Sequence, residues 1–218
     1  MSFKRARSDE QRAERRRKIL DTAAEMLTEM PAAKLSLNEL SRRVCLAKSN
    51  VLRYFESREA ILLELLDAQV RDWIVALEDA AEPVAGTPRE RGDRLATLLA
   101  DSLARQPILC DLLSAQAAVL EQNVSADVVI AHKHAVMRSA EALVTLVRRH
   151  LPELDPADAQ ELTAVAVLIA TAAWPHSQPT AAIEAAYAAD PAVAALRMDF
   201  AAIVGRTLAV TISGLLVR

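Results

Sequence analysis

Apolar residues recur at three- and four-residue intervals along most of the chain, which is the signature of amphipathic helices. Ser8 followed by Gln11 has the form of a capping box, and Ile19, Leu20, Ala23, Leu27 and Met30 then repeat at helical spacing until Pro31 stops the run. The arm before this first helix, Lys4-Arg5-Ala6-Arg7, is expected to be flexible. Ser36 with Glu39 is a second capping box, opening a helix of barely two turns on which Leu37, Leu40 and Val44 share a face. After the break Cys45-Leu46-Ala47, a third helix is expected from Lys48 to Phe55. Val51, Leu52 and Phe55 turn inward on it, and Lys48, Ser49, Asn50, Arg53 and Tyr54 outward. Ser57 is the expected N-cap of a fourth helix, from about Arg58 to Glu82, with a stripe of Leu62, Leu65, Leu66, Trp73 and Leu77. At about 37 Å it is long enough to join two parts of a molecule.

A turn is expected at Pro83 to Pro88, followed by helical runs over 89–105, 108–121 and 126–150. A further helix runs from Pro156 to Trp174, breaks at Pro175 to Pro179 and resumes weakly from Thr180. After a second break near Pro191, a long apolar helix covers 192–217. There is no repeat of fixed period. Four Gly and 3% aromatic residues stand beside abundant Ala and Leu, so good helix formers dominate and strand formers are scarce. The expected fold class is all-α, with a helix-turn-helix domain over 1–57 and a helical body over 58–218.

The 218 residues, 52% hydrophobic and 25% charged, exclude a disordered or fibrous chain and allow a core without staples. Cys45 and Cys110 are too few for a disulfide scaffold, and a reducing, cytoplasmic setting is expected. Residues 1–18 carry no apolar stretch of signal-peptide length. The run from Leu162 to Trp174 is too short to span a bilayer, and that from Phe200 to Val217 holds Arg206 near its middle, so no membrane partner is expected. His132 and His134, two apart, point about 200° apart on a helix and do not make a shared metal site. No metal or other cofactor is expected.

Charge is unevenly placed. Residues 1–60 hold 14 Lys and Arg against 9 Asp and Glu, a net of +5, whereas the remainder sums to −8. A basic end on an acidic body suits contact with a polyanion at that end. Two short helices separated by about three residues have the dimensions of a helix-turn-helix, whose second helix fits a major groove about 12 Å wide. Lys48 can reach guanine O6 or N7, Ser49 and Asn50 can bond base edges, and Arg53 and Tyr54 can hold phosphates. The Arg15-Arg16-Arg17-Lys18 run offers further phosphate contacts. No nucleophile elbow, zinc-protease helix, phosphate loop or dinucleotide fingerprint is present, which argues against an enzyme.

The stretch from Arg17 to Leu66 resembles the tetracycline-repressor (TetR) family of bacterial transcriptional regulators. The resemblance rests on the helix-one start Arg17-Lys18-Ile19-Leu20-Asp21, on Ser36, and on Tyr54-Phe55 followed by Ser57-Arg58-Glu59. Four positions depart from the family pattern. Cys45 replaces the usual turn Gly, so the turn must accept a positive φ or change shape. Ala47 replaces a Ser and removes the N-cap hydroxyl, Ser49 stands where Gly is frequent, and Leu52 replaces a phosphate-binding Tyr. The resemblance implies a homodimer on a palindromic operator in double-stranded DNA, with Ser36, Lys48, Ser49, Asn50, Arg53, Tyr54 and Arg58 as contacts.

The same resemblance implies a four-helix dimer interface built from about 157–174 and 192–217. There Ala201, Gly205, Ala209 and Ser213 form a small-residue stripe, with Leu208 and Ile212 among the apolar residues beside it. An apolar or amphipathic small-molecule effector is expected over 89–150. Gln116, Asn123, His132, His134 and Trp174 are its candidate polar contacts. Its binding would tilt the fourth helix and move two reading heads out of register with the operator. An activator, or an adaptor of the same fold without an effector, is the alternative.

Overall fold

The computed structural model describes the backbone of residues 2–80 and 85–218, and the side chains of 10–80 and 85–218. The expected turn at Pro83 to Pro88 therefore lies partly outside the described residues. Every α-helix in chain order is α1 (Ser2–Glu29), α2 (Leu37–Arg43), α3 (Lys48–Val51), α4 (Arg58–Ala80), α5 (Pro88–Ala104), α6 (Pro107–Ala115), α7 (Ala126–His150), α8 (Pro156–His176), α9 (Ala181–Ala189), α10 (Pro191–Ala194) and α11 (Phe200–Leu215). A 3₁₀ turn occupies Ala32–Lys34 and a π-helical turn Gln116–Leu120; among the described residues there is no strand. The chain divides into two compact units, residues 1–68 with 115–132, and 69–114 with 133–218.

In the first unit α1 begins at Ser2, ahead of the expected start at Ser8, and the Lys4–Arg7 segment is helical in its backbone. Arg, Lys, Glu and Ala dominate the early part of α1, and these good helix formers let it propagate back past Ser8. Ser36 caps α2 as expected, its Oγ accepting from the Glu39 amide at 3.2 Å. The Glu39 carboxylate instead accepts from Arg42 and Arg43, and these hydrogen bonds, Arg42 first, hold its pKa down to about 2. The first unit's core is apolar: Ile19, Ala23, Met26, Leu35, Leu40, Val51, Phe55, Ile61 and Leu62 are all buried.

The turn between α2 and α3 is a Schellman motif. The Cys45 amide donates to Arg42 O at 3.2 Å and the Leu46 amide to Ser41 O at 3.0 Å, with Cys45 in the left-handed region at φ 56°. Of the two outcomes open at this position, the turn keeps its geometry and Cys45 accepts the positive φ. For a residue with a Cβ that conformation costs about 1–2 kcal/mol. The α-helical part of α3 ends at Val51, four residues short of expectation, but the Leu52, Tyr54 and Phe55 amides still donate to Lys48 O, Val51 O and Val51 O at 3.0, 2.9 and 3.2 Å. The backbone thus winds on into tighter turns as far as Phe55.

In the second unit α11 packs along both α5 and α8. A Cβ added at Gly92 of α5 would lie 2.6 Å from Ile212 Cγ2, and one at Gly205 of α11 would lie 3.4 Å from Ala100 Cβ. The small residues of α11 therefore serve a close approach to α5 of the same chain. Trp73 Nε1 donates to the buried Ser102 Oγ at 3.1 Å, so the indole enters the core with its polar atom satisfied. Both cysteines are free; burial pushes the Cys110 thiol up to about 12.

Helix α8 runs through Pro175 to His176, where a break was expected at Pro175. Proline lacks the amide that would bond the Thr171 carbonyl four residues back. Ser114 Oγ lies 3.1 Å from Thr171 O and 2.8 Å from Cys110 O, so its single proton is shared between the two carbonyls. The expected helix over 108–121 is likewise modified. It becomes π-helical from Gln116, with the Glu121 amide donating to Gln116 O at 3.1 Å.

Two substitutions probe these packing arguments. Cys45→Gly should raise stability by about 0.5–1 kcal/mol in urea unfolding, because it releases the left-handed strain, whereas Cys45→Val should lower it by about 1–2 kcal/mol. Equal midpoints for the two would remove the strain argument. Gly92→Ala should cost about 1–3 kcal/mol, since the added methyl must displace a β-branched side chain; an unchanged midpoint would mean that α5 and α11 are further apart than described.

Candidate nucleic-acid interface

Helix α3 is a single α-turn, and its orientation comes from what lies beneath it. Val51 and Phe55 are buried in the core of the first unit, and Lys48, Ser49, Asn50 and Arg53 are exposed on the opposite side. Tyr54 is half-buried. Leu52 is 40% exposed, although an inward position was expected. The ladder tightens after Val51, which rotates position 52 away from the core and onto the polar side.

The exposed groups lie around two hollows. One, of about 500 Å³, brings Ser36 and Asn38 at the start of α2 together with Lys48 at the start of α3 and with Arg58. The other, of about 280 Å³, is lined by Gln11, Arg12 and Arg15 of α1 with Arg53 and Tyr54. Three guanidiniums at one hollow make it suited to an anion such as a phosphate oxygen. Arg12 was not singled out from the sequence. Its signal was available in the helical spacing, because residues three apart in α1 share a face with Arg15.

Two other arginines are turned toward the protein. Arg16 Nη1 donates to Tyr54 O at 2.5 Å, its guanidinium carbon sits 4.0 Å from the Phe55 ring centroid, and it pairs with Glu64. Arg58 donates from Nη1 to Leu35 O at 2.9 Å and from Nε to Glu59 Oε1 at 3.1 Å. Although Arg58 was expected to meet phosphate, its side chain is only 20% exposed and braces the turn that precedes α2. Ser57 caps α4 as expected, accepting from the Ala60 amide at 3.1 Å.

Of the five residues expected to contact an effector, Gln116, Asn123 and His132 lie in the first unit and His134 and Trp174 in the second. Asn123 and His134 are exposed, and Trp174 in the second unit meets Phe200 edge to face, with ring centroids 5.2 Å apart. Gln116 and His132 do come together. His132 is 2% exposed; its Nδ1 is 2.7 Å from Asp67 Oδ1 and its Nε2 is 3.0 Å from Gln116 Nε2, which also lies 2.8 Å from Glu121 Oε1. With the imidazole proton on Nδ1, every partner in this cluster is matched: the ring donates to Asp67 and accepts from the Gln116 amide. Asp67 and Glu121 were missed by sequence reasoning. Asp67 carried a signal, since it follows the buried Leu63 by four residues and interrupts the apolar stripe of α4. His134 faces away from His132, as a two-residue step on a helix requires.

On the last helix, Leu208 and Ile212 are buried within their own subunit, Ala201, Gly205 and Ala209 are half-buried, and Ser213 is exposed. Of the expected stripe, Gly205 lies against Ala100 of α5. The large apolar side chains left exposed on α8 and α11 are Leu168 and Val210, at 67% and 65%, with Val217, 85% exposed, just beyond α11. Among the described residues, no helix is long and apolar enough to cross a membrane.

Two family models match nearly the whole chain. Residues 19–65 match the bacterial regulatory proteins of the tetR family, and residues 67–218 match the tetracyclin repressor-like C-terminal domain. The HTH-type transcriptional regulator EthR of Mycobacterium tuberculosis is 39% identical over 72 residues, which is 33% of this chain and 33% of that protein. The chain thus matches about a third of the length of its curated relatives. Among solved structures, a TetR transcriptional regulator from Rhodococcus sp. RHA1 superposes with a TM-score of 0.60 at 14% identity, covering 94% of this chain and 97% of the other. FadR of Bacillus subtilis, in complex with stearoyl-CoA, superposes at 0.56 with 15% identity over 90% and 97%. The residues matched by the family models and the all-helical fold lead to one assignment: this chain belongs to the TetR family of bacterial regulatory proteins.

Proposed function

We propose that the protein is a ligand-responsive repressor that acts in the cytoplasm and binds a palindromic operator as a homodimer. Its reading head is 1–57 and its effector-binding and dimerisation part is 58–218. The observation that carries the reading is the row Lys48, Ser49 and Asn50, exposed above buried Val51 and Phe55 and flanked by the hollow of Arg12, Arg15 and Arg53. Such a row can enter a major groove while the arginines take the phosphates alongside. Ser36 and Lys48 approach the backbone from their shared hollow, and Leu52 offers an apolar surface of the kind that meets a thymine methyl.

One reading head buries little surface on DNA, and two-fold pairing sets two heads about 34–36 Å apart on successive grooves. The pairing surface is the outward side of α8 and α11, where Leu168 and Val210 are exposed and Ser213 stands beside them. Leu208 and Ile212 support that surface from the core, as do the half-buried Ala201, Gly205 and Ala209. The effector is an apolar or amphipathic small molecule, a class supported by the stearoyl-CoA bound to FadR, which has the same fold. Gln116 and His132 supply its polar contact. Because Asp67 of α4 holds His132, a ligand that took over the His132 hydrogen bond would act directly on the helix that carries the reading head. A coupling of about 1–3 kcal/mol would change operator affinity 5- to 150-fold.

Selection of bound sequences from random duplexes with the purified protein tests the assignment; an inverted repeat should be recovered, and sequences without dyad symmetry would refute it. Asn50→Ala should lose about 1–3 kcal/mol of discrimination at one base pair of the half-site. Arg53→Ala should weaken all duplexes alike and reduce the salt slope by about one per half-site. Arg58→Ala separates a brace from a phosphate contact: it should lower stability by roughly 1–2 kcal/mol and leave the salt slope unchanged. In sedimentation, the double variant Leu168→Glu/Val210→Glu should be monomeric at concentrations where the parent is a dimer; an unaltered dimer would move the interface elsewhere.

A further inference from the structure

Among the described side chains between residues 10 and 68, Leu52 is the one large apolar group that lies exposed, at 40%. It stands where the surface is otherwise polar, since Lys48, Ser49, Asn50 and Arg53 are exposed around it in the chain. Its place is set by the backbone. The Leu52 amide donates to Lys48 O at 3.0 Å, which closes a full α-turn and puts Leu52 one turn beyond Lys48. Residues three and four apart share a helix face, so Leu52 belongs with Ser49 and Lys48, the side chains suited to base edges.

Leu52 lines neither of the hollows in which the cations gather. Its side chain has no donor, acceptor or charge, so it can hold neither a phosphate nor the polar edge of a base. The major groove shows one kind of apolar group, the C5-methyl of thymine, whereas cytosine presents an N4 amino donor there.

We propose that Leu52 is a specificity-determining residue: it packs against the C5-methyl of a thymine and selects thymine over cytosine at one position of each half-site. The inference rests on the reading of α3 as the element that enters the groove, and it goes on to name the base and its place. One α-turn advances about 6 Å, which spans about two base steps of about 3.4 Å each. The thymine therefore lies within about two steps of the base pair that Lys48 contacts, a guanine by the chemistry of its ammonium. Because the recognised feature is a methyl group, the contact removes apolar surface from water and releases no counterions. It adds discrimination without adding salt dependence.

Deoxyuridine keeps the polar edge of thymine and lacks only the methyl, which makes it the probe. Duplexes carrying the half-site recovered by selection are remade with deoxyuridine at each thymine in turn, in both half-sites. Their affinities are measured for the parent protein, Leu52→Ala and Leu52→Ile. Replacement of one thymine should weaken the parent about fourfold per half-site, the worth of one buried methyl contact. Leu52→Ala should bind the thymine duplex more weakly than the parent, bind the thymine and deoxyuridine duplexes equally, and keep the parent's salt slope; Leu52→Ile should retain the difference. The deoxyuridine series on the parent protein stands even if a variant misfolds. A thymine preference that persists undiminished in Leu52→Ala overturns the assignment, because another side chain then meets the methyl. A half-site with no thymine on either strand, or with none that responds to deoxyuridine, overturns it as well and leaves operator binding intact. A protein that binds no duplex removes α3 as the groove element and the role of Leu52 together.

Discussion

A recognition element of one α-turn has almost no stability of its own, and the reading head is organised around that constraint. Nucleating a helix fixes several residues for a single hydrogen bond, so α3 exists because Val51 and Phe55 are buried beneath it. Arg16 adds a second hold. It bonds the Tyr54 carbonyl, lies over the Phe55 ring and pairs with Glu64, linking α1, the end of α3 and α4 through one planar side chain. The Schellman turn at Cys45 sets the angle at which α3 leaves α2. With its inward side occupied in this way, α3 has only one side left for Lys48, Ser49 and Asn50.

The arginines of the head divide by what lies next to them. Arg12, Arg15 and Arg53 converge on an open hollow, whereas Arg16 and Arg58 spend their donors on backbone carbonyls and glutamates of the head itself. The first group leaves its guanidiniums around the hollow, and the second is tied into the fold. A similar division holds for the histidines. His132 is a buried link between Asp67 and Gln116, and His134, two residues on, faces solvent.

In the second unit, packing density accounts for the role of the small residues. Gly92 and Gly205 are positions where a side chain would meet Ile212 or Ala100, so α5 and α11 approach at nearly backbone distance. That contact uses the side of α11 that its small residues would otherwise offer to a partner. The outward side of α8 and α11 retains Leu168 and Val210.

The all-helical class, the caps at Ser36 and Ser57, the two short helices and the exposed row on the second of them were legible because they follow from local rules: period, capping and turn chemistry. Several other features were not. Leu52 reads as core by type and spacing, but the backbone tightens beneath it. Pro175 reads as a break, but α8 runs on through it to His176. Arg53 and Arg58 look alike as cations, and both reach a hollow, but only Arg58 is tied to the Leu35 carbonyl and Glu59. The amino-acid order by itself determined which segments are helical and which positions are polar, since those depend on neighbours within a turn or two. Which polar groups stay available to a ligand, and which are consumed by the fold, was decided only when residues far apart in sequence met, because a hydrogen bond or a buried face is a property of the pair.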